Sequence, residues 1–246
     1  MKKLTLVLSL LLTAPALHAS GGQPADSSAF RGASLIAPGA LIGSSLAIHY
    51  FAHDTWDLGI KEWTQDLRGG ASVVPFDDYI QYAPYAFDLG LGLLGAEARH
   101  GFVDRAMEMA LACAVGAAVS SSTKLAFHTL RPNEKNYRSY PSGHSVTVFL
   151  GAELVRMEYG WGWGAGAYAV ACTVGAMRIY RNWHWFSDVL FGAGIGILSA
   201  HAGQWLLSPT KRLLGMDKKE AKVSVTLAPS FDPASGALSS NLTVRF

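Results

Sequence analysis

The stretch Trp161 to Met177 carries no charged side chain, and three neighbouring stretches, Met107 to Phe127, Ser145 to Val155 and Phe186 to Leu207, are nearly as apolar. Segments of that length and composition must be covered on most sides, either by protein or by lipid, and their length favours helices over strands. Charged residues make up 15% of the chain against roughly a quarter in ordinary soluble domains, which tilts the choice toward a membrane. Ala33 to Ala52 is long enough to span, with His49 its single candidate for charge. Tyr82 to Ala96 is shorter, glycine-rich and interrupted by Asp88, and reads as a buried or half-inserted helix. The expectation is an all-α bundle with several apolar, membrane-embedded helices.

The ends of the chain read differently. Met1 to Lys3 is basic, Leu4 to Leu12 apolar, and Thr13 to Ser20 small and proline-containing, the pattern of a secretory signal peptide over 1–19. The bundle is expected over 29–209. Residues 210–246 then form a basic linker and a short C-terminal β-hairpin, because Val223, Val225 and Leu227 alternate with polar residues, as do Leu242, Val244 and Phe246, around Asp232-Pro233 and Ser235-Gly236. A net charge of +2 excludes a strongly basic nucleic-acid surface. Cys113 and Cys172 lack metal-type spacing and read as free thiols. Gly162 with Gly166 and Gly192 with Gly196 are small-residue steps that read as tight helix packing. Asp54 to Asp78 reads as an exposed loop with short helical pieces.

Polar chemistry concentrates at the helix ends between Lys124 and Asp188. Lys124 and Arg131 are spaced so that a continuing helix would present both on one face, able to grip one anion. Pro141-Ser142-Gly143-His144 precedes an apolar run, so Ser142 is a candidate N-cap and the following backbone N–H groups suit a phosphate. His184 and Asp188 are four apart at the start of the last long helix. The carboxylate can take one imidazole N–H and leave the other nitrogen free to attack. Arg178, shortly before them, adds a guanidinium suited to bidentate phosphate contact. Taken singly, each cluster is also ordinary helix-end or turn chemistry.

In order and spacing, the three clusters resemble the signature of the type 2 phosphatidic acid phosphatase superfamily, which includes lipid phosphatases, bacterial acid phosphatases and vanadium haloperoxidases. The resemblance implies His184 as nucleophile, Asp188 as its orienting partner and His144 as general acid and base. It implies Lys124, Arg131, Ser142, Gly143 and Arg178 as the phosphate-binding set, with neither a metal nor another cofactor. One departure is Met177, where the family often has a serine before the arginine. His128 lies outside the motifs and is either structural or substrate-facing.

The substrate class so implied is a lipid phosphate at a membrane, with no nucleic acid and no protein partner. The basic residues after Pro209 favour a cytoplasmic tail and hence a periplasm-facing site in a bacterial inner membrane. A soluble periplasmic acid phosphatase is the alternative, and a head-group-binding membrane protein without catalysis is a third.

Overall fold

The computed structural model describes residues 32–216, 224–232 and 237–245. The signal peptide expected over 1–19 lies outside them. The chain divides into two compact units, Met1–Leu207 and Ser208–Phe246. In the first, a 3-10 turn, Gly32–Leu35, leads into α1 (Ile36–Phe51), followed by a π-helical turn, Asp54–Leu58, and α2 (Gly59–Arg68). The short α3 (Asp77–Ile80) and α4 (Ala83–Leu93) precede four long helices, α5 (Phe102–Phe127), α6 (Gly143–Tyr159), α7 (Trp161–Tyr180) and α8 (Phe186–Leu213). All four coincide with the apolar stretches, and α8 continues past Pro209.

Helix α6 is the axis of the bundle: from Ser145 to Glu158 only Thr147 and Arg156 escape full burial. Val148, Phe149, Ala152 and Val155 pack with Ala171 and Val174 of α7 and Ala193 and Ile197 of α8. Its other side packs Leu150 and Leu154 with Ala112 of α5 and Ala200 of α8. Close approach to α8 depends on glycine, since a Cβ on Gly192 would lie 2.7 Å from the Ser142 carbonyl oxygen and one on Gly196 2.5 Å from that of Val146. The parallel expectation for Gly162 and Gly166 does not hold, because a Cβ at either would meet nothing within 4 Å. Glu153 is buried in this core but fully engaged, by Arg156, Tyr168 and His201.

Among the described residues, three helices are long and apolar enough to cross a membrane, Gly32–Phe51, Phe102–Phe127 and Phe186–Leu213. The most apolar window of the last is 72% buried by protein, whereas those of the first two are 11% and 17% buried. Their outer faces present Ile36, Tyr50, Phe51, Phe102, Val103, Val119 and Leu125. Such faces need an apolar solvent.

The acidic segment before α4 differs from its reading as an exposed loop. Asp57 and Asp77 are 1% and 0% exposed, because cations and N–H groups of the α7–α8 junction take them up. In the second unit, β1 (Ser224–Asp232) pairs antiparallel with β2 (Ala237–Arg245), from Ser224 opposite Arg245 to Asp232 opposite Ala237. Residues 233–236 and Phe246, which the hairpin reading also used, lie outside the described residues.

Candidate active site

The site forms where α5 ends, α6 begins, α7 ends and α8 begins. His184 and Asp188 come first, because everything else is arranged around them. They are 3% and 0% exposed, with His184 Nδ1 3.2 Å from Asp188 Oδ2. The same oxygen accepts from Ser139 Oγ at 2.5 Å and from the Trp185 backbone N–H at 2.8 Å. A carboxylate oxygen with three donors is fixed in position. Ser142 N–H donates to the Asp188 carbonyl at 3.0 Å, which pins the start of α6 to the start of α8. Burial, helped by Arg131 and Lys124, lowers the His184 pKa to about 4 against an upward pull from Asp188. The imidazole is therefore neutral at pH 7, as a nucleophile must be.

The cations reach this pair by routes that spacing did not show. Helix α5 ends at Phe127 and His128 turns left-handed at φ 48°, so Arg131 is not on the helix of Lys124 and the shared helical face does not exist. A residue before proline disfavours helix, and here Arg131 precedes Pro132. The following loop folds back instead, with Arg131 N–H donating to the Asn136 carbonyl at 3.0 Å and Ser139 N–H to that of Thr129, also at 3.0 Å. Lys124 Nζ donates to the carbonyls of Arg138 and Pro141. The rings of His128 and Tyr137 stack at 5.9 Å, a structural engagement for that histidine.

Trp183 gathers the positive charge. Arg131, Lys135 and Arg178 lie 5.1, 4.8 and 5.5 Å from its ring centroid. Among the described residues, the Nε atoms of Arg131 and Arg178 are buried without hydrogen-bond partners, two donors that could serve an anion. Ser142 caps α6 as expected, its Oγ accepting from Ser145 N–H at 3.4 Å and contacting Ser145 Oγ at 3.0 Å. Gly143 has no neighbour within 4 Å of a built Cβ, so a ligand can approach its backbone.

The residues from Arg105 to Thr210 match the model of the PAP2 superfamily. That segment belongs to the PAP2 superfamily. The "Lipid A 1-phosphatase" of Porphyromonas gingivalis is 38% identical over 146 residues, which cover 56% of this chain and 32% of that one. The chain thus spans about a third of the length of that relative. A crystal structure of Aquifex aeolicus LpxE is also similar, at 21% identity and a TM-score of 0.45, over 58% of this chain and 92% of that one.

Around the PAP2 segment, two residues that sequence reasoning passed over complete the charge pattern. Asp77 Oδ2 and Asp78 Oδ1 each accept from Arg178 Nη1 at 2.8 Å, and Asp77 Oδ1 accepts from Arg181 Nη1 at 2.6 Å. Asp78 Oδ1 also contacts His144 Nε2 at 3.0 Å. Asp77 is wholly buried, while the Asp78 side chain is 41% exposed. Met177 offers no hydroxyl at its position, and these two carboxylates are what hold Arg178. The signal available was their presence in a segment rich in Asp and Trp, but nothing in the sequence paired them with an arginine a hundred residues on.

Proposed function

We propose that this chain is a metal-independent phosphatase that removes phosphomonoester or pyrophosphate groups from lipids through a phosphohistidine. The observation that carries the reading is the neutral, Asp188-bonded His184 beside Arg131 and Lys124. His184 Nε2 attacks phosphorus, the P–O bond to the lipid breaks, and the lipid oxygen leaves with a proton from His144. Asp188 stabilises the imidazolium formed at His184. Water then gives its proton to His144 as its oxygen bonds to phosphorus. The P–N bond breaks, releasing inorganic phosphate and restoring both histidines. Lys124, Arg131 and Arg178, with the N–H groups behind Ser142 and Gly143, take up the charge on the phosphoryl oxygens. An anion that takes Arg178 competes with Asp78, which is exposed enough to swing away.

A lipid substrate is supported by a groove of about 400 Å³ that starts at Gly143 and continues along Val146 and Leu150 between Gly116, Cys113 and Tyr85. An acyl chain or its linker fits such a lining. The outward apolar faces of α1 and α5 support a membrane protein, and the relative's name points to the phosphate at the 1-position of lipid A. The basic residues Lys211 and Arg212 in the last turn of α8, with Lys218, Lys219 and Lys222 beyond it in sequence, favour a cytoplasmic tail and hence a periplasm-facing site.

The test is phosphate release by detergent-purified full-length protein from lipid A, phosphatidate, an isoprenyl diphosphate and a water-soluble aryl phosphate, with acid-labile phosphoenzyme trapped at low temperature. Lipid hydrolysis with label on His184 is expected. Label on another residue overturns the mechanism. Equal turnover of the soluble ester, with extraction by buffer alone, overturns the membrane-lipid assignment in favour of a soluble acid phosphatase.

A further inference from the structure

At the end of α6 opposite His144, roughly 21 Å away by the helical rise, a second group of ionisable side chains lies outside the phosphate chemistry. His100, on the turn before α5, Glu108 of α5 and Glu158 of α6 each bring one ligand atom to within 4.8 Å of the others. His100 Nδ1 lies 2.6 Å from Glu158 Oε1, and its backbone N–H donates to Glu158 Oε2 at 3.0 Å. Glu108 and Glu158 are 1% and 3% exposed. Among the described residues, both oxygens of Glu108 are buried without a hydrogen-bond partner, although the side chain points into this group. Asp88, 1% exposed on α4, likewise has both carboxylate oxygens unpartnered.

The arginines nearby do not neutralise these groups. Arg99 Nη1 donates to the Met157 carbonyl at 3.2 Å, and Arg105 Nη1 donates to the Asp88 carbonyl and the Tyr159 hydroxyl. Guanidinium groups are thus bonded to neutral oxygens while carboxylates beside them stand without donors. A buried carboxylate is retained where a cation or a proton satisfies it. A proton on Glu108 would still need an acceptor, and neither Glu108 oxygen has a partner within hydrogen-bond reach.

We propose that His100, Glu108 and Glu158 form a structural site for one divalent transition-metal cation, zinc by the donor set. One imidazole with two carboxylates suits zinc and its borderline neighbours, whereas calcium and magnesium favour all-oxygen shells. The ion replaces the proton shared by His100 and Glu158, takes an oxygen of Glu108, and ties the start of α5 to the end of α6. It stands apart from the proposed reaction, which proceeds at the other end of α6 without metal.

Full-length protein in detergent, stripped with chelator and dialysed, is titrated with zinc against a chromophoric competitor, with bound metal measured by elemental analysis. The parent is expected to bind about one equivalent and to melt at higher temperature with zinc than without. His144→Asn, at the opposite end of α6, is expected to keep both properties. Glu108→Gln is expected to lose both while melting no lower than the metal-free parent, because it removes an unpaired buried charge. Glu158→Gln is the second variant should Glu108→Gln not fold. A folded parent that holds no zinc overturns the proposal. So does full zinc binding by whichever glutamine variant folds, or loss of the bound zinc in His144→Asn.

Discussion

Replacing Asp188 with asparagine keeps the shape of the side chain and removes its charge, so it separates orientation from electrostatics at His184. In the native site one carboxylate oxygen takes Ser139 Oγ, Trp185 N–H and His184 Nδ1 at 2.5, 2.8 and 3.2 Å. An amide oxygen can take some of these donors, but the amide NH₂ set against the ring rewards the wrong tautomer, with the proton on Nε2 where attack must occur. The imidazolium that forms on attack also loses its counter-charge inside a buried site. Losing both the tautomer and the counter-charge is worth roughly 1,000- to 10,000-fold in kcat, or about 4 to 5.5 kcal/mol. Phosphate release from lipid by Asp188→Asn, with helicity and melting recorded alongside, measures it. The pH profile gives a second reading. Burial already holds the His184 pKa down to about 4 and Asp188 raises it, so native kcat/KM falls as pH drops through about 4. The acid limb of the residual activity in Asp188→Asn must move to still lower pH. A loss under tenfold, or an acid limb that moves upward, refutes the assignment of Asp188 as the partner of an attacking His184.

Asp77→Asn leaves Arg178, itself 4% exposed, with a weaker partner; a loss of ~3 kcal/mol is expected, read as a lower melting temperature with the helical fold retained. Chelator treatment is expected to leave the initial rate of phosphate release unchanged at temperatures where the protein stays folded, while vanadate competes with substrate for Arg131, Arg178 and Lys124. Rescue of a chelated enzyme's initial rate by a divalent cation would contradict the proposed chemistry. In a Cys172→Ser background, a bulky maleimide on Cys113 is expected to slow lipid hydrolysis by roughly tenfold, the ~1.4 kcal/mol of one or two methylenes denied to the groove. Hydrolysis of a small soluble phosphate ester is expected to be unaffected, and equal slowing of both substrates would remove the groove from the substrate path.

Sequence carried the long helices and the motif residues because both are local signals. Apolar length marks α5 to α8, and Ser142 before an apolar run marks the start of α6. The spacing of His184 and Asp188 is one helical turn, although His184 itself stands just ahead of α8 and its N–H donates to the Arg178 carbonyl at 3.3 Å. What failed was the part decided by tertiary contact. Lys124 and Arg131 converge because the loop after Phe127 folds back, whereas a helix running on through Pro132 would have been needed for the spacing argument. Asp77, Asp78 and Ser139 were illegible as site residues. Acidic and hydroxyl side chains in a polar stretch look solvated until the partner that desolvates them is known, and here that partner is Arg178 or Asp188. Glu108 shows the same gap from the other side, since its position in an apolar helix gave no hint of His100 and Glu158 beside it.

The direction of α1 sets a parity constraint on how the protein can be inserted. His49 and Tyr50, at its C-terminal end, pack on Phe127, and His49 also packs on Tyr140, so α1 runs toward the candidate active site and Gly32 starts at the far end. Helix α8 runs away from the same site. If α1 crosses the membrane, position 32 and the end of α8 therefore share one side and the chemistry has the other. Three attributes become mutually dependent: export and cleavage of the leader, a full crossing by α1, and a periplasmic site. Any two of them exclude the third. Where α1 crosses, a reporter fused just ahead of Gly32 decides the leaflet in which the substrate is met as firmly as one placed at the site itself.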